Sequence, residues 1–261
     1  MGNFPGLDQI TYRWIHVIAG VLWIGILYFF NWINGAFTAQ LDAETKRKVV
    51  PELMPRALFW FRWGAAFTWL TGVALLMKLY YAGILALSDG TKAEFGTWMQ
   101  AFAGLFVGFI VYDVLFKALG KSKGGHAAAV VIWGAIAIGF GCYLEALGFS
   151  QRAINIHIGA LFGTSMAANV WMRIWPAQKR IIRAIKAGEK PDAADPALAG
   201  LRSKHNTYMS VPLLLLMVSV NQDDMLSWQT PWQIVVSALF AVGFLITYAI
   251  YNVGVPKVKG F

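Results

Sequence analysis

Long apolar stretches alternate with short polar connections along the whole chain. A spanning helix needs roughly 20 predominantly apolar residues. By that measure the pattern predicts seven helices, over residues 11–37, 57–84, 98–119, 127–149, 153–175, 205–220 and 232–255. The sixth is the shortest, and Pro212 interrupts it. The connections read LDAETKRKVVPELMP, LSDGTKAEFG, GKSKGG and KRIIRAIKAGEKPDAADPALAGLRSK. The last begins as a basic amphipathic turn and then becomes rich in Ala, Pro and Asp, so residues 176–204 are expected as a cytoplasmic, basic and partly disordered loop. The fold class expected is an all-α integral membrane protein: a seven-helix transmembrane bundle forming one domain over residues 1–261.

Composition agrees with that class. The chain is 58% hydrophobic and 13% charged, with a mean hydropathy of +0.55, far from an average soluble domain. The start, MGNFPGLDQI, lacks a basic n-region, so the first apolar stretch is expected as a spanning helix rather than an export tag. With seven spans, 18 of the 22 Lys and Arg residues fall on the side shared by the C-terminus and the connections after helices one, three and five. Cytoplasmic loops carry that excess, which places the N-terminus outside and the C-terminus inside. The net charge of +9 is thereby a topology signal, with an anionic-lipid contact as a further use of it, and no nucleic-acid partner is implied. The single cysteine, Cys142, lies in an apolar run and is expected to pack there. There is no Walker loop, GxSxG, HExxH or CxxCH.

Ionisable side chains inside spanning helices are costly and point to function by default. His16 and His157 each lie a few residues into a helix that starts outside, roughly 5 to 8 Å below the outer boundary at 1.5 Å of rise per residue. His126 and His205 open helices that start inside, giving a second level pair. Two facing imidazoles at one depth are what a bis-histidine haem b requires, so one or two haems are expected, with His16 and His157 as iron ligands and His126 with His205 as the second possible pair. Gly20 and Trp23 continue the face of His16. Small residues there leave room for a flat macrocycle, but Gly104 with Gly108 and Gly159 with Gly163 equally form the GxxxG spacing that packs membrane helices together. Arg62 and Asp113 lie towards the inner side as a candidate pair, and Lys78 and Glu145 lie towards the outer side; snorkelling to the interface is the alternative for Arg62 and Lys78, and a paired or proton-carrying role is expected for Asp113 and Glu145.

Three segments in order, RWIHVIAGVLWIG, INIHIGALFGTSMAANVWMRIWPAQKRII and RSKHNTYMSVPLLLLMVS, resemble the membrane domain of the bacterial cytochrome-c-linked urate oxidase (urate hydroxylase) family. The resemblance implies a multi-pass redox protein of the bacterial inner membrane whose electrons pass to a c-type cytochrome or another membrane electron carrier. It carries the family's histidine motifs onto His16, His157, and His205 with Asn206; His126 matches none of them. Two departures stand out. No CxxCH is present, so the acceptor is expected as a separate partner. Asn221, Gln222, Asp223 and Asp224 stand where the family has a further histidine-containing segment. Two readings follow: a b-haem, urate-oxidase-like electron-transfer protein, or an accessory or structural subunit of a larger membrane complex.

Overall fold

The computed structural model describes residues 6–120, 122–219 and 231–255. Among them the chain is all helical, with seven helices and no strand. Helix α1 is Leu7–Gln40, α2 spans 43–81, α3 is Phe95–Leu119 and α4 is Lys123–Ala146. Helix α5 spans 151–187, α6 is Ala194–Ser219 and α7 is Trp232–Gly254. Each of the seven apolar stretches lies largely on one of these helices, with ends displaced by up to 14 residues, as at 43 against the expected 57.

Helix starts follow from local chemistry. The Asp42 carboxylate accepts from Thr45 N at 2.9 Å, the Ser122 hydroxyl from Gly125 N at 3.1 Å, and the Ser150 hydroxyl from Ala153 N at 3.2 Å. Each satisfies an amide that the first turn leaves without a helical partner. Residues 176–204 differ from expectation: helix covers Trp175–Ala187 and resumes at Ala194. Ala177, Ile181 and Ile185 recur at helical spacing and pack on Ala199, which orders the segment as an amphipathic helix. Gly188, at φ 79°, ends it in the left-handed conformation that favours glycine.

Four helices, α1, α3, α4 and α7, are long and apolar enough to cross a membrane. The other three carry most of the buried polar residues. On α5, Asn155, His157, Thr164, Ser165 and Asn169 are buried, as are Arg202, His205, Asn206, Thr207 and Ser210 on α6. Outward positions are apolar instead: Val21 is 70% exposed, Val131 71% and Leu245 62%. Polar inside with apolar outside reverses the soluble pattern and suits a hydrocarbon solvent. Cys142, expected to pack, is exposed on α4.

Four of the helices contain a π-helical turn, at Phe29–Asn34, Leu76–Tyr81, Val170–Ile174 and Ile250–Gly254. The chain divides into two compact units. One holds the chain up to Thr71, Met166–Ser210 and the residues from Leu245; the other holds Gly72–Ser165 and Val211–Phe244. Asn221, Gln222, Asp223 and Asp224 lie outside the described residues.

Candidate functional site

In the unit built from Gly72–Ser165 and Val211–Phe244, the centre is His157, fully buried on α5. Its Nδ1 lies 2.7 Å from the Ala153 carbonyl, one turn back. A carbonyl only accepts, so Nδ1 carries the proton and Nε2 holds the lone pair. The Tyr81 hydroxyl, 2.7 Å from Nε2, donates to it. Rings enclose the imidazole: Phe149 edge-on at 5.3 Å, Tyr80 edge-on at 6.1 Å and Tyr81 at 5.5 Å. Tyr81 in turn stacks on Trp98 at 5.0 Å. The connections at that end tie together, with Ser88 N donating to Gly148 O at 3.0 Å and Ser150 N to Ala86 O at 2.8 Å.

The small residues of this unit are filled by neighbouring side chains. A Cβ on Gly108 would strike Leu161, one on Gly159 would meet Met217 Cε at 2.8 Å, and one on Gly163 would touch Leu213 at 3.4 Å. The glycine stripe is used for helix packing. His126, at the start of α4, lies partly buried against the Phe116 ring at 5.4 Å. Asp113 pairs with Lys117 at 2.7 Å, and Gln233 donates to Glu145 at 3.1 Å.

In the other unit, a buried polar seam joins α5 to α6. Asn169 Nδ2 donates to Asn206 Oδ1 at 2.9 Å, and Asn206 Nδ2 donates to the Met166 carbonyl at 3.0 Å. Arg202 and His205 are buried on the same helix as Asn206, 3% and 8% exposed. The seam continues to α1 and α7. Asn31 Nδ2 donates to Ser203 Oγ at 2.8 Å, Tyr251 donates to Asn31 Oδ1 at 3.0 Å, and Tyr28 is 3.0 Å from Ser210 Oγ. Ser210 spends its own proton on Thr207 O, so Tyr28 is the donor. Asn31 and Tyr251 lie within π-turns, and Asn169 immediately precedes one. A π-turn widens the helix and is frequently found at functional sites.

His16 belongs to this unit too. Its Nδ1 is 3.2 Å from Thr71 Oγ1, whose proton goes to Phe67 O at 2.6 Å, so His16 Nδ1–H is the donor and Nε2 keeps its lone pair. Gly20 faces Thr68, and a Cβ on Gly64 would lie 3.2 Å from Trp23, which places both in helix packing; among the described residues the buried Trp23 Nε1 has no hydrogen-bond partner. Arg62 does not need a carboxylate: its guanidinium lies 3.6 Å over Trp175 and 5.4 Å from the Trp171 ring.

Each expected haem pair is divided between the two units: His16 and His205 belong to one, His157 and His126 to the other. Metal-binding imidazoles anchor one nitrogen and present the other. His16 meets that description, but His157 does not fit a haem as packed, because Tyr81 holds Nε2 and aromatic rings fill the space a macrocycle needs. Among the described residues, no three His, Cys, Asp or Glu side chains gather as a metal site.

The family model described as urate oxidase N-terminal matches residues 41–254. The chain belongs to that family. His126, His157, His205 and Asn206 lie inside the matched family region, and His16, Gly20 and Trp23 lie before it. No curated protein and no solved structure matches the chain. Sequence reasoning missed Tyr81 and Asn31. Tyr81, in a Tyr–Tyr pair at a helix end, looks like an interface anchor; Asn31, a lone amide in FFNWIN, was a detectable signal.

Proposed function

We propose that the chain is the membrane part of a urate-oxidising system of the bacterial inner membrane, with seven spans, the N-terminus outside and the C-terminus inside. Electrons pass to a c-type cytochrome. The observation that carries this reading is the buried seam of Asn169, Arg202, His205 and Asn206 inside a urate oxidase family match. Urate is a planar monoanion at neutral pH with donors and acceptors around its edge. A buried guanidinium is the side chain best shaped to hold a planar anion through two parallel hydrogen bonds, and carboxamides pair with imide edges.

The balance is simple. Urate and water give 5-hydroxyisourate, two electrons and two protons, and the electrons reduce two ferric c-type haems in succession. His205, beside the seam, is the group suited to accept a proton from the attacking water. Because the surroundings of His157 do not fit a haem, no step is assigned to one here.

The test is urate-dependent reduction of a ferric c-type cytochrome by the purified full chain. Two ferrous haems should form for each urate consumed, with the rate lost in Arg202→Lys and Asn206→Ala. A folded protein that reduces no c-type cytochrome in the presence of urate would overturn the reading and favour the accessory-subunit alternative. A reduced-minus-oxidised spectrum of the same preparation, with His16→Ala and His157→Ala beside it, reads out any b-type haem independently.

A further inference from the structure

The helix Trp175–Ala187 has one face already used and one that is not. Ala177 and Ile181 are buried against Ala199, with Ile185 beside them, so the apolar face is covered by this chain's own α6. A helix whose apolar side is already occupied does not bind a bilayer by insertion. What remains outward is charge. Lys179, Arg183 and Lys186 recur at i, i+4 and i+7 on one exposed face, and Lys190 follows just past the Gly188 cap.

Helix α2 adds to the same patch. The Arg47 guanidinium closes over Gly188, where a Cβ would lie 2.5 Å from its Nη2. The neighbouring acids have closer partners: Glu44 pairs with Lys48 at 2.6 Å, Glu52 with Arg56 at 2.7 Å while also facing Lys186, and Asp195 with Arg180 at 2.9 Å. Glu189 stands exposed on the flank. The patch therefore keeps an excess of positive charge, at the end of a helix that runs on directly from the apolar part of α5.

We propose that Lys179, Arg183 and Lys186, with Arg47 and Lys190, form a docking surface for anionic phospholipid headgroups. Charge complementarity identifies the occupant: the surface is basic, carries no free apolar face, and lies where a spanning helix leaves the hydrocarbon. The proposal rests on the reading that α5 crosses the bilayer.

The experiment places the full chain in nanodiscs of mixed phosphatidylcholine and phosphatidylglycerol and counts retained lipids by native mass spectrometry. The native chain should retain phosphatidylglycerol preferentially. Arg183→Gln with Lys186→Gln should lower that preference by roughly fivefold per charge removed. A matched variant, Lys117→Gln with Lys123→Gln, should leave it unchanged. Equal loss in both variants, no preference in the native chain, or displacement of the lipid by inorganic phosphate would each overturn the proposal. Membrane-impermeant labelling of Arg183→Cys in a Cys142→Ser background, in right-side-out and inverted vesicles, tests the span and its orientation separately.

Discussion

Replacing Tyr81 by Phe removes one oxygen from a closed site and leaves the rest standing. The ring keeps its stacking on Trp98 and its edge contact with Phe102, and only the donor to His157 Nε2 is lost. Both partners are buried, Tyr81 at 4% exposure and His157 at 0%, so water does not replace the bond. Side-chain hydrogen bonds between membrane helices are worth about 0.6 kcal/mol on average and up to about 1.7. Leaving a buried acceptor unmet costs about 1–3 kcal/mol. With His157 otherwise fixed by Ala153, the expected loss is about 1–2 kcal/mol. Reversible unfolding in mixed detergent micelles, followed by far-ultraviolet circular dichroism, measures it, with exposed Tyr12→Phe as the reference near zero. The decisive form is a double-mutant cycle with His157→Leu. If the two changes add within about 0.3–0.5 kcal/mol, the bond contributes nothing and the site is simple aromatic packing.

Four further outcomes follow from the same contacts. Asn206→Leu should destabilise by about 1–3 kcal/mol in the same unfolding assay, because it strands Asn169 in a buried seam. Arg62→Met should cost about 1–2 kcal/mol through loss of the contact with Trp175, and Arg62→Lys should recover only part of it. Gly64→Ala should be the more damaging of two glycine changes: its Cβ meets Trp23 N and Ala19 O at 3.2 and 3.3 Å, whereas the one tight contact of Gly159→Ala is with the flexible end of Met217, and Leu216 Cβ lies at an ordinary 3.5 Å. The hydrogen bonds from Arg180 hold the Asp195 carboxyl below the usual carboxylate range. A depressed value means the stabilisation is present above the unfolded value and lost as pH falls through the folded one, so unfolding curves of the native chain and Asp195→Asn should differ at neutral pH and converge in acid.

The helices were readable because long apolar runs satisfy their backbone polar groups most readily as helices: each of the seven stretches falls largely on a helix, and four of those helices are long and apolar enough to cross a membrane. The two polar clusters were half readable. His157 and His205 stood out as polar groups inside apolar runs, and they are buried. Their partners did not stand out, because Tyr81 lies 76 positions from His157 and Tyr251 lies 220 from Asn31. Level depth along the membrane normal says nothing about azimuth around a bundle, so depth alone does not bring His16 to His157 or His126 to His205. The helix at Trp175–Ala187 was present in the sequence as Ala177, Ile181 and Ile185; the Pro and Asp residues that follow outweighed it in the loop reading.

The π-turns have a consequence for the history of the sequence. In α1 and α5 the helix runs on past the turn, so one residue absorbed there would rotate the part that follows by roughly 100°, one residue's share of a 3.6-residue turn. A relative that never acquired the insertion would present a different stripe to its neighbours beyond that point. Comparisons with relatives should therefore show isolated one-residue gaps inside apolar helices, near Asn31 and Asn169. Deleting one residue near Asn31 or Asn169 should turn the side chains that follow away from the interior, so at these two places length rather than substitution changes which face the helix buries.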